Sequence, residues 1–222
     1  MTGDRPFDIR GISFKEFVVF LFEREVAPES NENGEKEYWY YSAEIMFEPR
    51  EVAAHYLRLF SEPQFLLSQY SKAQLEEGFW ALQSPNLECG LQVLLWLEDL
   101  PFVIREDCVR SMFHLFERLF SAEPLKTSAN MWWDSLCYDW HCGNRSRARG
   151  GEDQLMQDVI FETLTKILTL DSVACQMAAL HGFGHLFHPS TEQIIGAYIQ
   201  GKPEIDPELK EYALGAARFA VR

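Results

Sequence analysis

The sequence predicts an all-α protein made of stacked antiparallel helical hairpins. Apolar residues recur at helical spacing in about ten segments. Capping-box and first-turn proline patterns mark where several of these segments begin. The alternation of strands and helices that is typical of a doubly wound sheet does not occur. With 222 residues, of which 47% are apolar, the chain is long enough to bury a sizeable core.

The N-terminal region contains one clear helix signal. Ser13, followed by Glu16 three residues later, forms a capping-box pattern that predicts a helix up to Val26. The β-branched and aromatic content of this segment leaves a strand as the alternative. Residues 28–37 are polar and acidic and predict a loop. The periodicity of residues 38–47 is ambiguous, and we interpret the segment as a helix.

The middle of the chain predicts a series of helices. Pro49 fits the first turn of one helix, and Ser71 caps another that continues to Leu82. Residues 87–100 are apolar on nearly every side, which predicts a central, buried helix. Residues 102–120 predict a long amphipathic helix.

An aromatic-rich helix is expected at residues 129–140, and a further helix at 152–170. Between them, residues 143–151 contain three arginines and three glycines, a composition typical of a linker. We expect a single all-α domain over residues 1–222. The alternative is a subdivision into an N-terminal part (1–142), the Arg/Gly loop (143–151) and a C-terminal part (152–222).

Three short amphipathic helices complete the chain. The first covers residues 171–187 and ends before Pro189, because proline disfavours helical geometry at the preceding residue. Ser190 is predicted to begin the second helix with a capping box. Asp206 and Pro207 supply an N-cap and a first-turn proline for the third.

Residues 172–200 resemble a HEAT-type repeat, in which an Ala/Gly-containing helix and an apolar helix are joined by a short turn with proline. The residues that carry the resemblance are Ala178, Ala179, Gly182 and Gly184 in the first helix and Ile194, Ile195 and Tyr198 in the second. The resemblance is clearest over residues 172–221. It implies a HEAT-like α-solenoid or a compact α-α superhelix that serves as a binding scaffold, and it implies no catalytic residue.

The charge of the chain favours some partners over others. Lys and Arg number 20 against 34 Asp and Glu, which gives a formal net charge of −14. Such acidity disfavours nucleic acid and anionic membranes and favours a basic protein partner. The sequence shows no signal-peptide pattern and no apolar run of about 18 residues. The five cysteines suit a reducing compartment, so we expect a cytoplasmic protein without a membrane partner.

These observations predict a non-enzymatic protein-binding module without a cofactor, such as an immunity-type neutraliser of a basic partner. Tryptophan is a favoured interface anchor, and arginine binds carboxylates and phosphates bidentately. The candidate binding residues are Trp132, Trp133, Asp134, Trp140, Arg145, Arg147 and Arg149. The alternatives are that the indoles pack between helices and that the arginine loop is solvated.

A second function, a metal-dependent or small-molecule enzyme, is favoured by a histidine row. His181, His185 and His188 have the spacing i, i+4 and i+7, which places them on one face of a continuous helix. Histidines on one helix face can bind zinc together. The alternative is that these rings form hydrogen bonds with helix ends and loops.

Cys137, His141 and Cys142 form another cluster of potentially reactive side chains. Imidazole near a cysteine can activate a thiolate nucleophile. Buried free cysteines are common in protein cores, however, and we favour core packing for this cluster.

Overall fold

The computed structural model describes residues 6–26 and 38–221. It is 63% helical, which confirms the predicted all-α class. The predicted loop at residues 28–37 lies outside the described residues. None of the described helices is long and apolar enough to cross a membrane. The α-helices of the described residues are α1 (Phe14–Phe22), α2 (Pro49–Ser61), α3 (Leu66–Gln69), α4 (Lys72–Gln83), α5 (Leu91–Leu94), α6 (Phe102–Leu115), α7 (Asp134–His141), α8 (Gly151–Ile167), α9 (Val173–Leu186), α10 (Thr191–Gln200) and α11 (Pro207–Ala217).

The helix predicted at residues 38–47 is wrong. The segment forms a 3-10 turn at Trp39–Tyr41 and then strand β2 (Ile45–Met46), which pairs in parallel with β1 (Phe7–Asp8). The backbone N–H of Ile45 also donates to the Glu88 carboxylate at 2.7 Å. Pairing with a distant strand and a distant carboxylate therefore decides the conformation of a locally ambiguous segment.

The long buried helix predicted at residues 87–100 is also wrong, because only α5 is helical there. The rest of the segment is held by Arg105, whose side chain is 2% exposed. Arg105 donates to the carbonyl oxygens of Leu100 at 2.8 Å and Leu95 at 3.1 Å. Since buried carbonyl groups need hydrogen-bond partners, these bonds replace the intrahelical bonds that a helix would have supplied.

Capping signals predict helix starts well, with one exception. Ser13 and Ser71 both form complete capping boxes, and Asp206 accepts hydrogen bonds from the first turn of α11. The predicted capping box at Ser190 is wrong, since its side chain makes no capping hydrogen bond.

Two other predicted helices differ from expectation at their ends. The helix at residues 102–120 is present, but its last part, Phe116–Phe120, is a π-helical turn. The helix expected at residues 129–140 begins only with α7. Before it, the carboxylate of Glu76 accepts the backbone N–H groups of Thr127 and Ser128, both at 2.8 Å, which holds the chain in a turn.

Helix α9 lies at the centre of the C-terminal part. It packs most closely against α7, α8 and α11, whereas α10 packs mainly on α11. A single cluster of buried apolar side chains extends from Ile9 to Val221. The predicted C-terminal trio of helices is confirmed as secondary structure, while the repeat-like stacking implied by the HEAT resemblance stays a prediction.

Gly182 allows α9 to approach α7 closely. A Cβ atom at this position would lie 2.9 Å from Cβ and Cγ of Trp133 and 2.9 Å from a methyl group of Leu164. Trp133 directly precedes the first residue of α7, and its side chain is fully buried. The absence of a side chain at Gly182 therefore sets the distance between the two helices.

We expect Gly182→Ala to lower the free energy of unfolding by about 1–3 kcal/mol, the usual cost of overpacking a core. The added methyl group would have to displace the Trp133 indole or the helix itself. Urea unfolding monitored by circular dichroism measures the effect. Gly196→Ala in α10 is the matched control, because no atom lies within 4 Å of its added Cβ. A loss of stability at Gly196 as large as that at Gly182 would contradict the packing argument.

Candidate functional site

Three side chains from two helices converge on one point. Asp134 is the first residue of α7, and His181 and His185 lie one turn apart on α9. Nε2 of His181 lies 2.7 Å from Oδ1 of Asp134, and Nε2 of His185 lies 3.7 Å from the same oxygen. One ligand atom from each residue lies within 4.8 Å of the others. We call these three residues the Asp134 cluster.

The shortest contact in the Asp134 cluster is not an aligned hydrogen bond. Although Nε2 of His181 and Oδ1 of Asp134 are 2.7 Å apart, both atoms are buried and neither has a hydrogen-bond partner of acceptable geometry among the described residues. Buried polar atoms without a partner are costly and rare in native proteins. The two atoms therefore face a common point but do not form a hydrogen bond with each other.

The other ring nitrogen of each histidine does have a partner. Nδ1 of His181 lies 2.7 Å from the Tyr212 hydroxyl, and Nδ1 of His185 lies 3.3 Å from Nδ1 of His141. Burial raises the pKa of Tyr212 to about 12, so its hydroxyl stays protonated near neutral pH. When each Nδ1–H donates to its partner, both Nε2 lone pairs are directed toward Asp134, which is the tautomer used by metal-bound histidine.

The protonation state of His185 is also suitable for a ligand. Burial lowers its pKa, and the neighbouring His181 and His141 act in the same direction, while Asp134 opposes them. His185 is therefore neutral at neutral pH. A metal needs this neutral imidazole form, since a protonated ring has no free lone pair.

The spacing of the three ligand atoms fits a small divalent cation. Zinc bonds of about 2.0–2.1 Å in tetrahedral geometry place neighbouring ligand atoms about 3.3 Å apart. The observed separations, from 2.7 Å to at most 4.8 Å, bracket that value. The side chain of His181 is 2% exposed and that of Asp134 is 29% exposed. Oδ1 of Asp134 is itself buried, so the exposed surface of this side chain belongs to its other atoms.

His188 does not belong to the Asp134 cluster, so the predicted row of three histidines is corrected to two histidines and an aspartate. Helix α9 ends at Leu186, and Phe187 takes a left-handed conformation with φ of 55°. This turn removes His188 from the helix face. Its Nε2 lies 3.0 Å from Asp158, and its ring stacks on Phe161 with a centroid distance of 3.9 Å.

The tryptophans proposed as binding residues pack inside the protein. Trp132 and Trp133 have no exposed surface, and Trp140 is 5% exposed. Trp132 makes edge contacts with Phe60, Phe79 and Phe120 in an aromatic cluster. The structure therefore supports the packing interpretation for all three indoles, and only Asp134 from this segment reaches the candidate site.

The arginines of the loop are held by carboxylates of the same chain. Arg145 lies 2.9 Å from Asp153 and 3.3 Å from Asp139. Arg147 lies 2.6 Å from Asp158, and Arg149 lies 3.7 Å from Asp153. The loop is thus fastened to α7 and α8 by these ion pairs, and the binding of an acidic ligand by its arginines stays a prediction.

The cysteine cluster does not support a nucleophile. Burial raises the pKa of the Cys137 thiol well above its usual range, so the thiol stays protonated. Cys142 is exposed, and His141 contacts His185. The core-packing interpretation is supported for Cys137 and is wrong for the exposed Cys142. His141 belongs to the surroundings of the Asp134 cluster.

Sequence reasoning missed the pairing of Asp134 with the histidines, and it missed Tyr212. The sequence predicts Asp134 only as a candidate binding residue beside the tryptophans. No local pattern connects it with His181, because a whole helix, α8, separates them along the chain. The i, i+4 spacing of the two histidines was the one signal available in the sequence.

Comparison of the chain with protein-family models, with curated proteins and with solved structures finds no match. The function of the protein is therefore inferred from the residues of the site alone. A fold by itself does not imply a function.

We expect the stability of the protein to fall as the pH drops below about 6.5, with a contribution from His188. Burial lowers the pKa of His188 in the folded state, although Asp158 opposes the shift. The unfolded chain, with a histidine pKa of about 6.5, then binds the proton first. The contribution is fully present above that pH and is lost as the pH falls.

Chemical denaturation of wild type and His188→Gln at pH 7.5 and at pH 5.5 tests this expectation. Between pH 7.5 and pH 5.5, the free energy of unfolding should fall by more in the wild type than in the variant. The excess is limited to about 1.4 kcal/mol per pH unit, the value for one proton. His114→Gln is the matched control, since the His114 side chain is 39% exposed. If the free energy of unfolding depends on pH as strongly in His188→Gln as in the wild type, the contribution assigned to His188 is incorrect.

Proposed function

We propose that this protein binds a divalent transition metal, with zinc as the first candidate, through Asp134, His181 and His185. The observation that carries the proposal is the convergence of Nε2 of His181 and Oδ1 of Asp134, both buried and both without a hydrogen-bond partner among the described residues. Two imidazoles and one carboxylate form a ligand set found in catalytic zinc sites. Imidazole ligands favour zinc and neighbouring metals over magnesium or calcium.

The surroundings of the ligands support the same proposal. Histidine ligands usually have their second ring nitrogen fixed by a hydrogen bond, which sets the tautomer and the ring orientation. Tyr212 from α11 occupies that position for His181, and His141 from α7 occupies it for His185. Three helices, α7, α9 and α11, thus contribute to one small polar centre.

Three protein ligands leave a coordination position for water or substrate, which is the arrangement of catalytic rather than structural zinc sites. When bound, such a metal polarises an oxygen ligand or lowers the pKa of a bound water. The Asp134 side chain is 29% exposed, so the proposed metal would have a partly solvent-exposed ligand residue. We therefore propose a metal-dependent enzyme that acts on a small molecule, built on the His181 and His185 face.

We expect purified protein to bind one Zn²⁺ or Co²⁺ per chain in isothermal titration calorimetry. Asp134→Asn and His185→Gln remove a ligand and should weaken binding by more than about 100-fold, beyond the loss typical of outer residues. Tyr212→Phe removes only the hydroxyl that orients His181 and should weaken binding by about 10–100-fold.

Two matched variants control this experiment. His188→Gln changes the histidine that lies outside the Asp134 cluster, and Tyr198→Phe removes a hydroxyl that bonds Gln176 instead. Both should retain the wild-type metal affinity. If the wild type binds no metal, or if His188→Gln is as damaging as His185→Gln, the proposed site is incorrect.

A second candidate function is the acidic protein-binding module, and the net charge of −14 favours it. The pairing of Arg145, Arg147 and Arg149 with aspartates supports it further, because these cations do not form a separate basic patch. An excess of negative charge accelerates encounter with a basic partner. An immunity-type protein that neutralises such a partner is one form of this function.

We expect a partner recovered by affinity purification at low salt to be basic and to dissociate as the salt concentration rises. Surface charge interactions are screened over about 10 Å at 0.1 M salt and about 3 Å at 1 M. Surface plasmon resonance at these two concentrations measures the change in the association rate. A partner that is acidic, or whose association rate is indifferent to salt, would exclude charge-driven recognition.

A further inference from the structure

We infer that the cleft next to the Asp134 cluster binds a neutral small molecule with a flat apolar part and an amide or hydroxyl group that can reach the metal. This inference rests on the proposed metal site and names the class of ligand that would complete it. The cleft has a volume of about 560 Å³ and is bordered by parts of α4, α5 and α7. Its lining includes Tyr41, Trp80, Gln83, Asp134 and Tyr138.

Asp134 connects the cleft with the metal site. Its Oδ1 is buried toward His181, whereas its side chain as a whole is 29% exposed and forms part of the cleft wall. Tyr138, one turn further along α7, also lines the cleft and makes an edge contact with the His185 ring at a centroid distance of 5.6 Å. A molecule in the cleft is therefore adjacent to Asp134 and to Tyr138, and both of these residues contact histidines of the cluster.

The charges of the cleft favour a neutral ligand. The lining, all within the described part of the chain, includes no Lys, Arg or His, and Asp134 is its only charged residue. Carboxylates and phosphates are usually recognised by arginine or lysine. The overall charge of −14 also opposes an anion. A divalent metal bound by one carboxylate and two neutral imidazoles would carry a net positive charge, which disfavours a cationic ligand. Away from the metal, the cleft lining has no cation that would pair with an anionic group of the ligand.

The uncharged lining supplies both apolar surface and hydrogen-bonding groups. Tyr41 is 52% exposed, and Trp80 is partly buried, so both offer ring surface to a flat group. Gln92 and Ser135 add polar groups to the wall. Ligand sites commonly combine such apolar surface with a few fixed polar groups.

Gln83 provides an independent sign that a donor is missing from the cleft wall. Its side chain is 5% exposed, and its Nε2 donates to the carbonyl oxygens of Phe79 at 3.1 Å and Ser128 at 2.8 Å. These two bonds fix the orientation of the amide. The buried Oε1 is then an acceptor without a partner among the described residues, in a residue that belongs to the cleft lining.

Benzohydroxamate is a suitable probe, because its acid form is uncharged in neutral solution and combines a phenyl ring with an N–H group and two oxygens that bind metals. When both oxygens bind the metal, the proton of the N–OH group passes to the solvent. The experiment uses full-length protein loaded with Co²⁺, whose visible absorption responds to changes in its ligands. We expect benzohydroxamate to change the spectrum and to bind about tenfold more tightly than acetohydroxamate, which lacks the ring. 4-Carboxybenzohydroxamate, which adds a negative charge to the ring, should bind more weakly than benzohydroxamate.

Variants of residues that line the cleft test whether the preference for benzohydroxamate arises there. Tyr41→Ala and Trp80→Leu should reduce the ratio of benzohydroxamate to acetohydroxamate affinity toward one, and this ratio corrects for any change at the metal. Tyr41→Ala keeps the test valid if Trp80→Leu does not fold, since Tyr41 is largely exposed. Leu155→Ala, an exposed position on α8 outside the cleft lining, is the matched control and should retain the ratio.

The possible failures are distinguishable. If Co²⁺ does not bind, the proposed metal site fails and this inference fails with it. If Co²⁺ binds but the two hydroxamates have equal affinity, or if Tyr41→Ala and Trp80→Leu both retain the wild-type ratio, the metal site remains and the inference about the cleft is overturned. Tighter binding of the 4-carboxy compound would overturn the assignment of a neutral ligand.

Discussion

Helix α9 lies against the start of α7 because Gly182 has no side chain where the Trp133 indole packs. The residues on either side of this contact form the candidate site. Asp134 follows Trp133 directly, and His181 precedes Gly182, so the apolar contact fixes the distance between the carboxylate and the first imidazole. His185 lies one turn further along α9 on the same face. A packing constraint in the core thus determines the geometry of a polar cluster.

The Asp134 cluster brings two buried polar atoms without hydrogen-bond partners to within 2.7 Å of each other. Some other buried polar side chains have clear structural partners, as Arg105 has with the carbonyl oxygens of Leu95 and Leu100. Gln157 likewise donates to the carbonyl oxygen of Leu186 at 2.8 Å. Nε2 of His181 and Oδ1 of Asp134 lack such partners, although Nδ1 of His181 and Nδ1 of His185 each have one. The proposed cation would account for both halves of this pattern, because a metal requires free lone pairs on its ligand atoms and a fixed tautomer for each histidine ligand.

Helix α8 organises the polar contacts on the other side of α9. Asp153 and Asp158 hold the arginine loop that precedes the helix, and Asp158 also binds His188 beyond the end of α9. The three arginines and His188 resemble site residues in sequence, yet here they join a loop and a turn to a helix. The three arginines form ion pairs with aspartates of the same chain, and the chain as a whole has a net charge of −14.

The sequence by itself determined the all-α class, most helix starts and the i, i+4 relation of His181 and His185, because caps and helical periodicity act over only a few residues. It did not determine the strand at Ile45–Met46 or the irregular segment around α5, since a distant strand and Arg105 satisfy those backbone groups. Only the tertiary structure brought Asp134 and Tyr212 to the histidines and removed His188, through the left-handed turn at Phe187. A metal site or a cleft depends on distances between helices, and packing between side chains far apart in the chain sets those distances.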